Sequence, residues 1–313
     1  MKKSPLIIKQ LTSLAALSLI FGCVVALYSQ EAKIAESAVV EVADGLYVHE
    51  RWGANITISS GKDGLLIIDT GYPGSAEYSD SIIRTEFHKP IIYVINTHYH
   101  PDHVGGNHLL SDGGALIVAH RNTRVRMMKE WKRPEIPELP DMKSPDIPPY
   151  EKEYLPDLCF NDSIDIHIND ELVHCVHIPG HSEGDVVVEF KNANVIHTGD
   201  LFLTNLFPPI EFSSEGYLAA IERIIRMCDA NTIVIPGHGP ISDIDGLKEY
   251  YEMIFVASNR IKSLKSEGKS LKEVLDSDPL RNIGVGESYR LKELFIYCVY
   301  NNGYRIKNEL NSN

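Results

Sequence analysis

Residues 96–107, NTHYHPDHVGGN, place three histidines and an aspartate between His98 and His103. The whole chain has 13 histidines in 313 residues, so the crowding is local. Imidazole nitrogens and carboxylate oxygens without a thiolate suit zinc, and iron or manganese would also be accepted. His98 and His100, two apart in an extended segment, point to one face. Pro101 then turns the chain, so that Asp102 and His103 project toward a second position. The chemistry such a cluster offers is metal-assisted hydrolysis, in which bound metal acidifies a water and polarises a carbonyl. Such chemistry requires no serine or cysteine nucleophile.

Other apolar runs stop in the same abrupt way. LLIIDTG ends at Asp69, IIYVINTHYH at His98, CVHIPGH at His181, NVIHTGD at Asp200 and IVIPGH at His238. The tetrapeptide IPGH occurs twice, at 178–181 and 235–238. Ligand sites of α/β sheets collect at the carboxyl ends of strands. If these five ends converge, seven metal-capable side chains meet: His98, His100, Asp102, His103, His181, Asp200 and His238. Asp69 and Thr97 are expected to hydrogen-bond the ligand loop rather than to bind metal. Tyr99 and Tyr72 adjoin the site segments and are candidates for contact with a substrate oxyanion, packing being the alternative. His120, at another strand end, is weighed in the same way.

The elements that must position these residues are legible in outline. VVEVADGLYVHE alternates apolar and polar residues across Asp44–Gly45, a hairpin signal. LLIID (65–69), IIYVIN (91–96) and ALIVAH (115–120) read as strands, with further strands near 164–168, 172–178, 185–190, 194–198 and 232–235. Helices are expected over 75–88, from 121 to 131, and over 215–228, 247–265 and 289–301. This mixture predicts an α/β domain over 38–313 with covered sheets and C-terminal helices within 247–313. Residues 133–156 carry seven prolines and little periodicity. They read either as a surface linker or as a semi-rigid loop over a substrate site.

Composition narrows the partners. Asp plus Glu number 43 against 30 Lys plus Arg, a net charge of −13. Such a surface repels phosphate backbones and disfavours nucleic acid, leaving a small-molecule substrate. Lys2, Lys3 and Lys9 precede an uncharged, largely apolar run, Leu11–Leu27, which reads as a signal peptide over 1–26 cleaved after Ala26. Two other fates stay open: lipidation at Cys23 in IFGC, or an uncleaved anchor, either of which would place the chain on a membrane. All three put the domain outside the cytoplasmic membrane, periplasmic or secreted in the cleaved case. Cys159, Cys175, Cys228 and Cys298 show no CxxC spacing, and they read as buried thiols more readily than as a disulfide framework.

HYHPDH (98–103) fits the HxHxDH motif, and the chain here resembles the metallo-β-lactamase superfamily. PGHSEGD (179–185), TGD (198–200) and PGHG (236–239) follow in the family's order, with IIDTG (67–71) as the early marker strand. The resemblance covers about residues 38–245 and implies an αβ/βα four-layer sandwich with a two-zinc site at one edge. Carried over, His98, His100 and His181 would bind the first ion and Asp102, His103 and His238 the second, with Asp200 bridging both. It implies a hydrolase in which a metal-bridging hydroxide, aimed by Asp102 and Asp200, attacks the carbonyl of a small ester, lactone or thioester. Zinc β-lactamases generally carry cysteine or serine where Asp200 stands, so the ligand set resembles the thioesterase and lactonase branches, such as hydroxyacylglutathione hydrolase. Residues 200–224 are similar to exported hydrolases of this superfamily. Rival readings are a β-lactam hydrolase, an iron-dependent sulfur oxygenase on the same fold, and a non-catalytic metal-binding relay protein.

Overall fold

A computed structural model describes residues 39–50, 54–130, 136–140, 147–204, 206–283 and 289–304. The expected signal segment and Cys23 lie outside these residues, as do parts of the proline-rich stretch. Two sheets carry the architecture. The first has seven strands in sequential order: β1 Val39–Ala43, β2 Leu46–Glu50, β3 Asn55–Gly61, β4 Gly64–Ile68, β5 Ile91–Ile95, β6 Leu116–His120 and β7 Leu158–Phe160. The second has six: β8 Ser163–Ile168, β9 Glu171–His177, β10 Val186–Phe190, β11 Val195–His197, β12 Ile233–Ile235 and β13 Ser242–Asp243, in the order β13-β12-β11-β10-β9-β8. Pairing is antiparallel through β4 and parallel from β4 to β7, while in the second sheet only β11 and β12 pair in parallel.

Alternation along the strands decides what lies between the layers. Leu66 and Ile68 of β4 face inward with Val186, Val188 and Phe190 of β10, forming the core between the sheets. Leu65 and Ile67 face the other way, onto Ile83 of α1 Ala76–Phe87. On the second sheet's outer face, Val187, Ile196 and Val234 pack against later helices. In chain order the helices after α1 are α2 Pro101–Val104, α3 Asn107–Leu110, α4 Arg121–Met127, α5 Ser214–Met227, α6 Ile244–Ser266, α7 Leu271–Asp276 and α8 Tyr289–Asn301. Ile221 and Ile224 of α5, Leu247 and Ile254 of α6, and Leu294 and Phe295 of α8 cover that face. The layering is the expected αβ/βα sandwich.

Several details differ from the sequence expectation. Strand β3 was not anticipated: it is rich in Thr, Ser and Asn, yet it sits between β2 and β4 with Thr57 and Ser59 buried. The α4 helix stops at Met127 rather than near 131. Part of the proline-rich stretch is embedded rather than a surface linker. Ile136 and Leu139 join the helical core, and Leu155 packs with Tyr99, Val104 and Met127. Cys159, Cys175, Cys228 and Cys298 form no disulfide among the described residues. Among the described residues no helix is long and apolar enough to cross a membrane.

Candidate metal centre

The five strand ends meet at one edge of the sandwich. β4 and β5 run parallel, so their carboxyl ends present Asp69 and His98 side by side. From the facing sheet, β9 leads to His181, β11 to Asp200 and β12 to His238. The amide of Val186 donates to the carbonyl of Thr97 (2.7 Å), joining the two halves beside the ligands. His100 caps the single turn of α2, with Pro101 at its first position, and Asp102 and His103 follow on that turn.

One ligand atom from each residue falls into two groups, the atoms within each lying within 4.8 Å of one another: His98, His100, His181 and Asp200, and then Asp102, His103 and His238. Asp200 reaches both. Its Oδ1 is 3.2 Å from Nε2 of His103 and of His238, and its Oδ2 is 3.5 Å from Nε2 of His181 and 3.8 Å from Nε2 of His98. Nε2 of His98, Nε2 of His103 and Oδ1 of Asp200 are buried without a hydrogen-bond partner among the described residues. Buried polar atoms are normally satisfied, so orphans that converge fit a cation at their centre.

Three of the imidazoles are held by their other nitrogen. The Nδ1–H of His103 donates to Oδ2 of Asp69 (2.7 Å), and that of His181 to the carbonyl of Pro209 (2.7 Å). The Nδ1–H of His98 donates to Oγ1 of Thr97 (3.1 Å), whose hydroxyl donates onward to Asp69 (2.8 Å). The Thr97 amide donates to the same carboxylate (2.8 Å). These bonds set the tautomers that leave Nε2 lone pairs facing inward. Asp69 and Thr97 thus stand where the sequence reading put them, beside the ligands and hydrogen-bonded to them.

Electrostatics agree with a cation site. Burial lowers the His98 pKa, helped by His103 and His100, so its nitrogen is a neutral donor. Burial also pushes the Asp200 carboxyl up, but His238 and His103 outweigh it and hold it well below the usual carboxylate range. Conversely, burial would lower His238, yet the Asp200 and Asp102 carboxylates raise it to about 10. The centre concentrates negative charge that a bound cation would balance.

Tyr99 differs from the expectation of substrate contact. Its ring is 3% exposed and its hydroxyl donates to Glu211, so it serves the site from beneath. Its ring lies against that of His100, centroids 4.7 Å apart, and both residues reach Oε1 of Glu211. Tyr72 is 46% exposed and lies near Tyr150. His120 is buried, stacked on His177 at 3.6 Å, and accepts from the Asn122 amide at the start of α4; it does not join the metal groups. Three residues escaped sequence reasoning. Asp185 accepts from the amides of Gly180, His181 and Ser182 at 2.8–2.9 Å and shapes the His181 loop. Its place in PGHSEGD was the available signal. Glu211 lies 3.3 Å from Nε2 of His100, and a lone acid within the apolar run LFPPIEF was its signal. The Tyr150 hydroxyl, on the proline-rich stretch, is buried with no hydrogen-bond partner among the described residues.

The sequence model of the metallo-beta-lactamase superfamily matches residues 50–238, which span every one of these ligands. The chain belongs to the metallo-beta-lactamase superfamily. Among its relatives, "Beta-lactamase-like protein 2 homolog" of Caenorhabditis elegans is 24% identical over 216 residues, covering 66% of this chain and 62% of that protein. The chain therefore spans less than two thirds of that relative's length. "Acyl-coenzyme A thioesterase MBLAC2" of Homo sapiens is 23% identical over 224 residues, covering 63% of this chain and 79% of that protein. Among solved structures, the inverting sec-alkylsulfatase Pisa1 from Pseudomonas superposes with a TM-score of 0.62 at 18% identity, covering 88% of this chain and 52% of that one. At that identity the likeness concerns the fold of this superfamily member.

Proposed function

We propose that this superfamily member is an exported, binuclear zinc-dependent hydrolase of small esters, lactones or thioesters. The observation that carries the reading is Asp200, whose two carboxylate oxygens each face one ligand group. His98, His100 and His181 would hold one ion, Asp102, His103 and His238 the other, and Asp200 both. Two divalent ions supply Lewis acidity, lowering the pKa of water and polarising a carbonyl oxygen. The chain's own residues do the rest. His98, His103 and His181 have side chains 0–1% exposed and form the floor, whereas Asp102 and His238, at 15%, line the open side from which a substrate enters. Asp102 orients the attacking water with its free carboxylate lone pairs. Burial raises the Tyr150 phenol above its ordinary value, with Asp102 and Tyr154 adding to it, so the hydroxyl keeps its proton and donates to a substrate oxygen. The thioester part of the reading is supported by the name of the human relative and by an aspartate at position 200.

The test is side-by-side kinetics of the zinc-loaded protein on a lactone, a thioester, nitrocefin and a carbapenem. The lactone or thioester should lead in kcat/KM by at least about tenfold, roughly 1.4 kcal/mol in barrier. A β-lactam in first place would replace this reading with a β-lactam hydrolase. Iron as native metal with oxygen-dependent turnover of a thiol would make it a sulfur oxygenase, and two bound ions without turnover a relay protein. Export is supported by the charged start and the apolar run. Mass spectrometry of the mature protein should find an N-terminus near Leu27, against a diacylglyceryl group on Cys23 or an intact start.

A further inference from the structure

The segment Pro209–Phe212 lies outside every motif that carries the metal ligands, yet it touches two of them. The Pro209 carbonyl accepts from Nδ1 of His181 (2.7 Å), and the Glu211 amide donates to the His181 carbonyl (3.1 Å). The Glu211 side chain is 1% exposed. Its Oε1 lies 3.3 Å from Nε2 of His100 and accepts from the Tyr99 hydroxyl. That leaves Nδ1 of His100 to face the centre, 2.9 Å from Nε2 of His181.

Gly303 and Tyr304, just after α8, hold this segment. The Tyr304 amide donates to the Ile210 carbonyl (3.1 Å), and the Tyr304 hydroxyl lies 3.3 Å from both Oε1 of Glu211 and Nε2 of His100. Gly303 permits the approach. Its φ is +105°, and a Cβ there would fall 2.0 Å from the Phe212 carbonyl oxygen and 2.4 Å from that of Glu211. The Gly303 amide in turn donates to the Cys298 carbonyl of α8 (2.7 Å).

We infer that Glu211 is a positioning residue for the first metal ion, holding His100 as an Nδ1 ligand, and that Tyr304 makes this grip depend on the C-terminal helix α8. The inference rests on the two-ion reading of the site. The physical reason is the two-sidedness of imidazole. A ring whose Nε2–H donates to a carboxylate is fixed in one tautomer and one orientation and becomes a better electron-pair donor at Nδ1. A ring without that partner is able to rotate or to change tautomer, and the ion loses a ligand. Helix α8 lies beyond the matched residues 50–238, so the superfamily's core motif does not contain this support. An element appended to the hydrolase core would thereby set the strength and geometry of the centre.

The experiment compares wild type, Glu211→Gln, Glu211→Asp and Tyr304→Phe as full chains. Zinc affinity is read by competition with a chromophoric chelator, and ligand geometry by the visible absorption of the cobalt-substituted protein. Circular dichroism and thermal unfolding report folding. Glu211→Gln should weaken one of the two ions by about 10- to 100-fold and change the cobalt spectrum. Glu211→Asp should restore part of the affinity, and Tyr304→Phe should produce a smaller shift of the same sign. If Glu211→Gln fails to fold, Tyr304→Phe, which removes one hydroxyl, still decides. Folded variants with wild-type zinc affinity and an unchanged cobalt spectrum would overturn the inference. A wild type that binds fewer than two ions would instead overturn the reading of the site on which it rests.

Discussion

Replacing Asp69 by Asn isolates what a residue that touches no metal does for one. The Asp69 carboxylate is fully buried and accepts three hydrogen bonds, from the Thr97 amide, the Thr97 hydroxyl and Nδ1–H of His103, at 2.7–2.8 Å. Asp69 has φ +60°, which Asn tolerates, so the backbone stays in place. Asn keeps one carbonyl oxygen for the Thr97 amide and puts an NH2 group where the other oxygen stood. That NH2 meets Nδ1–H of His103, donor against donor. The ring escapes by moving its proton to Nε2, which removes the lone pair needed by the ion. Binding metal then requires the unfavourable tautomer, with a buried donor left unsatisfied at about 1–3 kcal/mol. At about 1.4 kcal/mol per tenfold, the second ion should bind roughly 5- to 150-fold more weakly. The first ion of the proposed site should weaken less, because its ligand His98 reaches Asp69 only through the Thr97 hydroxyl. The assay is zinc competition with resolved stoichiometry, together with urea unfolding in the presence and absence of zinc. Metal-free stability should fall by only about 1 kcal/mol, while the stabilisation that zinc adds should shrink. Two ions bound at wild-type affinity in the Asn variant would refute the tautomer reasoning.

Further outcomes follow from other contacts. Gly237→Ala puts a Cβ 2.2 Å from Oδ1 of Asp200 and should cost about 1–3 kcal/mol and lower the zinc content; a wild-type zinc content by elemental analysis would contradict this. Tyr150→Phe should leave two ions bound and lower kcat/KM by about five- to tenfold, as expected for one lost hydrogen bond to substrate, and unchanged kinetics would remove Tyr150 from the site. The stacked pair of His120 and His177 should make the metal-free protein acid-sensitive. Burial first, then His177, lowers His120 to about 4, below its unfolded value near 6.5. The unfolded chain therefore takes up protons first, so stability is complete above about pH 6.5 and is lost as pH falls toward 4. Urea midpoints across that range should drop less in His177→Gln, and an identical drop would assign the sensitivity elsewhere.

What the sequence by itself determined is the chemistry of the centre. A strand that ends in metal-capable residues is a local signal, and five such ends in an α/β pattern constrain where they meet. Asp69 and Thr97 were legible for the same reason, since they sit on those ends. The hairpin at Asp44–Gly45 and most strands of both sheets were likewise written in alternation and β-branched runs. β3 was not, because buried Thr and Ser look like loop residues until neighbouring strands satisfy their backbone.

Tertiary structure alone decided the support of the ligands. Glu211 meets His100 across 111 residues and Tyr304 meets it across 204, and no periodicity carries information over such separations. Tyr99 was drawn toward substrate by its position between two metal-capable histidines, whereas the fold buries it with its hydroxyl donating to Glu211. The proline-rich stretch left linker and loop equally open. Ile136, Leu139 and Leu155 resolved it by joining two apolar clusters, and Tyr150 of the same stretch lies near Asp102. Residue types and spacing specify which atoms are able to bind a cation. Which way each ring faces depends on the hydrogen bond made by its far nitrogen, and that partner comes from wherever the folded chain brings one.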